Sequence, residues 1–466
     1  MRIKRIQIEK LFGMFDHDIP FNISDRITII HGPNGLGKTT ILRMISELAS
    51  MRFGYFQGLA FERFSLTFEN GRRLVLKKRQ IRSRGPRVRP PSEEERTQQN
   101  VAIDFSLHAG KKKVRRWSFR RPDEFYESHP SFGSHHGEIL HRQPLHMIEG
   151  YVPWLERAGR ARWFDRRSGD MLSFDDVLSR YGRHLPFYVA SMASPPPAWL
   201  RGLLGGVSTH FIETQRLFSY TSEEGPERRH DRRLVTVEQY SENMAEQIQE
   251  KLRESGSLSA SLDRTFPHRL LQEQVPKDIG DQEIRGQYKT QSEYRNRLMD
   301  AGLIEPEKPV QLPKSRLESA DIRVLWHYMS DVDKRLGVFD ELLKKVELFK
   351  EIINTRFLYK RLTLDKSRGF VFTNDKAVVL PATALSSGEQ HELVLAYQLI
   401  FKVQAKALIL VDEPEISLHV TWQHMFLDDL MRISKLVDLD FVIATHSPSI
   451  VHKRTDLMVA LEGPTK

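Results

Sequence analysis

The chain predicts an α/β fold: a parallel-sheet core divided between its two ends, an antiparallel β subdomain, and an inserted helical or short coiled-coil arm. Three observations carry this. The buried-type strand Arg26-Ile27-Thr28-Ile29-Ile30-His31 runs straight into the glycine-rich segment Gly32-Pro33-Asn34-Gly35-Leu36-Gly37-Lys38-Thr39-Thr40 and then into a helical stretch reaching about Ala49. Two more short apolar runs, Ala407–Val411 and Phe441–Ala444, lie near the other end. Between the two ends, apolar residues recur at helical spacing.

Residues 2–10 and 15–21 read as strands, and 61–80 and 100–120 alternate in strand fashion (Phe64, Leu66, Phe68; Val101, Ile103, Phe105) around a Pro/Arg-rich loop at 82–96. Together these form the antiparallel subdomain. Residues 122–205 mix His, Pro and Trp and yield no clear element, and Val207 to Leu217 reads as another strand. Val237, Tyr240, Met244, Ile248 and Leu252 share one helix face; so do Ile322, Leu325, Met329, Val332, Leu336, Phe339, Leu343 and Val346. The second set spans about three to four heptads, enough for a short coiled-coil arm or for one amphipathic helix on a core. Residues 255–315 between them read as a polar, Pro-containing, partly mobile connection. The expected division is therefore 1–121, 122–234, 235–360 and 361–466.

A length of 466 residues allows two or three lobes with proper cores, and 39% hydrophobic with 28% charged residues is ordinary for a globular protein. No apolar run approaches the ~18–20 residues of a membrane span. The start, Met1-Arg2-Ile3-Lys4-Arg5-Ile6, alternates like a strand and lacks the apolar core of a secretion signal, so a cytoplasmic location is expected. The absence of cysteine excludes disulfides, a thiolate nucleophile and Cys-based zinc sites. The net charge of +10 is uneven: residues 71–121 hold 17 Lys/Arg against four acids, Glu93, Glu94, Glu95 and Asp104. Such a zone fits a polyanion or an acidic protein partner, and equally a solvated hairpin face with an Arg-rich loop.

Gly32 to Thr39 fits G-x-x-x-x-G-K-[ST] in the strand–loop–helix context that gives the pattern its meaning. Gly32, Gly35 and Gly37 let backbone N–H groups, with Asn34 and Thr40 at the margins, converge on phosphate oxygens. Lys38 reaches the outer phosphates and the Thr39 hydroxyl ligates Mg²⁺. The run Ala407–Val411 delivers Asp412 and Glu413 to the carboxyl end of a sheet, Asp412 to hold the metal through its waters and Glu413 to orient or deprotonate an attacking water. Phe441–Thr445 delivers His446 to the same edge, where it can bond to a terminal phosphate and sense its loss.

These four elements resemble the ABC-type ATPases of the SMC, RecF and OLD-like branch, densely over 1–50 and 380–460. The resemblance implies ATP and Mg²⁺ as ligands and identifies Leu385-Ser386-Ser387-Gly388-Glu389-Gln390 as the signature segment. In the family this segment, through Ser386 and Gly388 and with Ser387 and Glu389 alongside, closes over the nucleotide of a second subunit. It implies a homodimer sandwiching ATP, with further assembly open. Ser417-Leu418-His419 falls where the family crosses the dimer seam, and Gln215 is the candidate glutamine contacting Mg²⁺ and the nucleophile, with Gln57 as competitor. The terminal regions look like those of ATPase subunits of bacterial anti-phage systems, such as AriA of PARIS and PtuA of Septu. OLD proteins continue into a nuclease domain, for which 447–466 is too short, so the expected effector is a separate polypeptide, a nuclease. A phage-derived trigger or nucleic acid completes the expected partners. The alternative is a DNA-maintenance ATPase using the basic zone.

Overall fold

The structure is a computed structural model. It describes residues 1–80, 101–110, 113–119, 148–158, 162–181, 196–213, 228–272, 276, 279–308, 310–381, 384–416 and 420–463. The chain divides into two compact units, Met1–Gln215 with Gln404–Ile416 and Gln423–Lys466, and Arg216–Val403 with Ser417–Trp422.

The first unit contains a five-stranded, all-parallel sheet in the order β11-β15-β16-β3-β17, with β3 Ile27–His31, β11 Thr209–Glu213, β15 Leu408–Asp412, β16 Asp440–Thr445 and β17 Met458–Ala460. Continuous burial of Ile27–Ile30 and Leu408–Val411 is the mark of a parallel sheet covered on both faces. The helix Lys38–Ala49 packs on it through Ile41, Leu42, Met44, Ile45 and Leu48. Register aligns the strand ends: Asp412 lies opposite both Glu213 and Ala444, and Thr445 lies opposite His31. The strands thus end at one level, and the residues just past them meet at one edge.

An antiparallel six-stranded sheet in the order β2-β1-β4-β5-β6-β7 joins the same core (β1 Ile3–Leu11, β2 Phe15–Pro20, β4 Arg63–Phe68, β5 Arg73–Gln80, β6 Val101–Ala109, β7 Lys113–Phe119). Its inner face carries Ile6, Ile8, Phe64, Leu66, Leu74, Leu76, Ile103 and Phe105, all buried and alternating along the strands as read from the sequence, while Ser65, Val75 and Ala102 between them are buried as well. The loop expected at 82–96 lies outside the described residues.

The stretch 122–205, opaque in the sequence, contains a three-stranded sheet of β8 Leu155–Arg157, β9 Arg162–Asp165 and β10 Met171–Ser173 with its own small core around Trp163. Its fully buried Asp165 accepts hydrogen bonds from the Tyr181 hydroxyl, Arg180 and the Arg167 backbone. These bonds keep the carboxylate ionised despite burial and hold its pKa below the usual range.

The second unit is mainly helical: Arg228–Gln272, Asp281–Ala301, Ser319–Gly337, Asp340–Arg356 and Ser387–Tyr397, with a small sheet of β12 Lys360–Asp365, β13 Gly369–Asn374 and β14 Val379–Leu380. Two expectations fail in this unit. The single apolar stripe 322–346 belongs to two helices that break at Val338–Phe339, where Gly337 weakens the first and the acidic Asp340 and Glu341 start the second. The spacing runs on across the break, so periodicity alone does not mark it.

Nor is 255–315 an irregular connection. The long helix continues to Gln272 with Pro267 inside it, and Asp281–Ala301 is a full helix capped by the Glu283 carboxylate on the Gly280 N–H and ended by Gly302 at φ 81°. These helices pack through polar pairs: Arg269 on Asp331 at 2.6 and 2.8 Å, Gln291 on the Met329 carbonyl at 2.7 Å, and Arg297 on Glu347 at 2.7 and 2.9 Å. Ser255 bonding at Arg335 and Arg323 at Leu270 show that the long helix and Ser319–Gly337 run antiparallel. The expected arm is thus a helical bundle with polar seams.

Candidate functional site

The phosphate loop leaves β3 and enters the helix Lys38–Ala49, and its shape is enforced by glycine. Gly35 and Gly37 lie at φ 89° and 87°, which side chains rarely adopt. A Cβ on Gly37 would meet Leu11 Cδ2 at 2.7 Å and Phe12 Cε2 at 3.0 Å. Buried His17 donates from Nε2 to the Leu36 carbonyl at 2.9 Å, bracing the loop from β2; burial lowers its pKa and favours the neutral ring such a bond uses. No sequence pattern marks His17, because its role is a contact between a strand and a loop.

Buried Lys38 folds back over the loop and donates from Nζ to the carbonyls of Gly32 (2.7 Å) and Pro33 (3.1 Å). Burial lowers its pKa, while the carboxylates of Glu413, Asp412 and Glu415 pull the other way. The exposed Asn34 and half-buried Thr40 flank it. The Thr39 hydroxyl donates to Asp412 Oδ1 at 3.0 Å, so the loop and β15 present two hard oxygen donors side by side. That donor set fits Mg²⁺. Among the described residues no group of three or more His, Asp or Glu could hold a metal alone, so a cation here would complete its shell with phosphate oxygens and water.

Glu413 comes directly after β15 with φ 48°, a left-handed conformation that costs a non-glycine residue about 1 kcal/mol or more. Its N–H donates to the Ala444 carbonyl at 2.8 Å, and its side chain meets His446, Oε1 to Nε2, at 3.1 Å. Sequence reasoning missed Glu415. Both of its carboxylate oxygens accept from the Thr445 hydroxyl at 2.8 Å, and one accepts from the His446 backbone N–H at 3.0 Å. Its carbonyl accepts from Gln423, whose side-chain oxygen accepts from Ser447. Glu415 thereby fixes the end of β16 and aims His446 at Glu413. Glu415→Ala is expected to lower turnover about 10- to 100-fold while nucleotide affinity stays within about threefold, as the buried donors of Thr445 and His446 lose about 1–3 kcal/mol of pairing. Steady-state kinetics with nucleotide titration check this.

Gln215 and Ser417-Leu418-His419 lie outside the described residues. β11 ends at Glu213, opposite Asp412, two positions before Gln215. The competitor Gln57 is buried in the antiparallel subdomain, donating to the Val101 carbonyl at 2.9 Å.

In the second unit Ser386 caps the helix Ser387–Tyr397 in a reciprocal box with Glu389: Ser386 N donates to Glu389 Oε2 at 2.6 Å, and Glu389 N to Ser386 Oγ at 3.3 Å. Lys360 also pairs with Glu389 at 2.7 Å. Glu389 therefore faces inward, whereas Ser386 and Ser387 are exposed and Gly388 is half-buried at the helix start. Arg356 and Glu392, both buried, pair beneath.

Two family models match the sequence. Residues 1–56, containing the phosphate loop, match one described as "AAA domain". Residues 316–452, containing Ser386–Glu389, Asp412, Glu413 and His446, match one described as "AAA domain, putative AbiEii toxin, Type IV TA system". Both segments are thus similar to AAA domains. No curated protein matches the chain. Among solved structures, the Smc head domain of Pyrococcus furiosus bound to the C-terminal domain of ScpA is similar at 14% identity and TM-score 0.32, covering 98% of this chain and 92% of that one. The SMC head domain of Thermotoga maritima is similar at 11% identity and TM-score 0.30, covering 99% and 94%. At such scores no role is transferred residue by residue.

Proposed function

We propose that the chain is an ATP-binding and ATP-hydrolysing subunit that acts as a sensor and scaffold in a bacterial anti-phage system, controlling a separate effector, a nuclease. The observation that carries the hydrolytic part is the meeting of Lys38, Thr39, Asp412, Glu413 and His446 at the carboxyl edge of one parallel sheet. Lys38 exchanges its loop carbonyls for phosphate oxygens. Bound Mg²⁺ would neutralise phosphate charge between Thr39 and Asp412. Glu413 orients the attacking water and takes its proton, and His446, held by Glu415, contacts the terminal phosphate. Exposed Ser386, Ser387 and Gly388 at a capped helix start suit contact with the nucleotide of a second copy, so that two ATP molecules join two subunits. Gln215, just past β11, is the proposed further contact to Mg²⁺ and water. The description of the model matching residues 316–452, which names a toxin of a Type IV TA system, supports a setting of cell-directed toxicity.

Cells carrying this gene with its neighbours should resist phage, resistance should vanish with Lys38→Ala, and the chain should co-purify with one neighbouring product. Full protection by Lys38→Ala overturns the sensor role while leaving hydrolysis to be judged by turnover.

A further inference from the structure

We infer, on the reading that Ser386 and Ser387 close over the nucleotide of a second copy, that Lys360 is a positioning residue for Ala384–Ser387. The carbonyls of Ala384, Leu385 and Ser386 all have partners. Lys360 Nζ donates to the Ala384 carbonyl at 2.7 Å, and Gln390 Nε2 donates to the Leu385 carbonyl at 3.0 Å. The Ser386 carbonyl accepts from the Gln390 N–H at 2.9 Å, and the Ser386 N–H donates to Glu389 Oε2 at 2.6 Å. Glu389 and Gln390 are both buried, whereas Ser386 and Ser387 are exposed. The glutamate and glutamine therefore shape the segment, and the serines are left to face outward.

Lys360 is the part of this lock that comes from outside the helix Ser387–Tyr397. Its ammonium reaches Glu389 Oε2 at 2.7 Å, the same oxygen that the Ser386 N–H uses. Without it a buried carboxylate would keep one neutral donor, and a buried charge without a partner is costly. The carboxylate would turn to water and release Ser386, while the Ala384 carbonyl would lose its partner. A bare carboxylate beside the two serines would also repel phosphate. Ser386 already uses its hydroxyl oxygen to accept from Glu389 N, which leaves the hydroxyl hydrogen for an outside acceptor such as a phosphate oxygen.

The ammonium is fixed from behind. Lys360 opens β12 opposite Asn374 of β13, and the chain enters the strand through a left-handed turn at Tyr359, φ 62°. Asn354 ties this strand to the helix Asp340–Arg356, accepting from Leu362 N at 2.7 Å and donating to its carbonyl at 3.1 Å. The helix Ser387–Tyr397 has a separate anchor one turn on, the buried pair of Arg356 and Glu392. The pair of Lys360 and Glu389 is more open, with side chains 21% and 12% exposed, and such a pair adds little to global stability. One pair seats the helix, and the other sets its start.

The test uses the full chain with Lys360→Met and Lys360→Arg, each with and without Glu413→Gln. The phosphate loop lies in the first unit and Lys360 in the second, so the Kd for a slowly hydrolysed ATP analogue should stay within about threefold. Turnover of Lys360→Met should fall about 10- to 100-fold, the effect of misplacing a contact by about 1 Å. Lys360→Arg keeps the charge and the donors and should recover most of that loss. An unchanged thermal melt shows an intact fold, and if Lys360→Met melts early, Lys360→Gln carries the same comparison. With ATP and Glu413→Gln, light scattering should show a doubled mass for Lys360 and for Lys360→Arg, and the protomer mass for Lys360→Met. Unchanged turnover and an equal doubled species in Lys360→Met overturn the role of Lys360 and leave the sandwich standing. A Kd raised in step with the lost turnover also overturns it. No doubled species in Glu413→Gln alone overturns the sandwich, and this role with it.

Discussion

Lys38→Ala should abolish useful nucleotide binding, raising the Kd for ATP at least about 100-fold. The side chain does two jobs that alanine cannot. Its ammonium bridges the Gly32 and Pro33 carbonyls, which close the loop around the space a phosphate would take. It is also the cation nearest the loop, set among the negative potential of Asp412, Glu413 and Glu415. Hydrogen bonds to a charged group contribute about 1.5–3 kcal/mol each, so losing the two that Lys38 would make to phosphate oxygens in place of those carbonyls exceeds the roughly 2.7 kcal/mol of a hundredfold change. The loop itself should survive, because its path is dictated by Gly35 and Gly37 and braced by His17. Isothermal titration with a slowly hydrolysed ATP analogue separates the cases. A Kd within threefold of the parent would remove Lys38 from the phosphate site.

Much of this site is legible in the sequence because its parts are local. A buried strand followed by a phosphate-loop pattern specifies its own geometry, and Asp412-Glu413 and His446 each come after a short apolar run that reads as a covered parallel strand. Glu415 was visible as a residue but not as a partner: nothing in Asp412-Glu413-Pro414-Glu415 says that the second glutamate accepts from Thr445 and His446 thirty residues on. That bond exists only once β15 and β16 are in register. The helical region failed for the complementary reason. Asp281–Ala301 buries only Ile284, Gln291, Leu298 and Ala301, so its helix leaves little apolar periodicity and is held by pairs such as Arg297–Glu347. The strands β8–β10 are too short for alternation to be counted.

The arrangement of the two glutamates has a consequence for the resting state. Glu413 sits in a strained left-handed conformation and is engaged by His446, while Glu415 keeps His446 in place. In the proposed role of base, Glu413 would be oriented before any substrate arrives, and its strain is sustained by the register of β15 against β16. Contact between His446 and a terminal phosphate would redistribute that bond and leave the Glu413 carboxylate facing water.

Glu413→Gln should therefore separate binding from chemistry. Glutamine keeps the side-chain length, the backbone bond to Ala444 and an oxygen that can accept from His446 Nε2, so the site should still assemble and ATP affinity should stay within about threefold. It cannot accept a proton from water. Loss of a general base costs about 10²–10⁴ in rate, and turnover should fall in that range with little change in KM, the pattern of an interaction made only in the transition state. Because hydrolysis is what would release two subunits joined through ATP, the variant should also accumulate with ATP as a species of twice the protomer mass, seen by light scattering, while the parent returns to its smaller form as ATP is consumed. Unchanged turnover would remove Glu413 from the chemistry. Loss of turnover without the larger species would keep Glu413 as the base but overturn the ATP-sandwich dimer, leaving the exposed Ser386 and Ser387 without the role proposed for them.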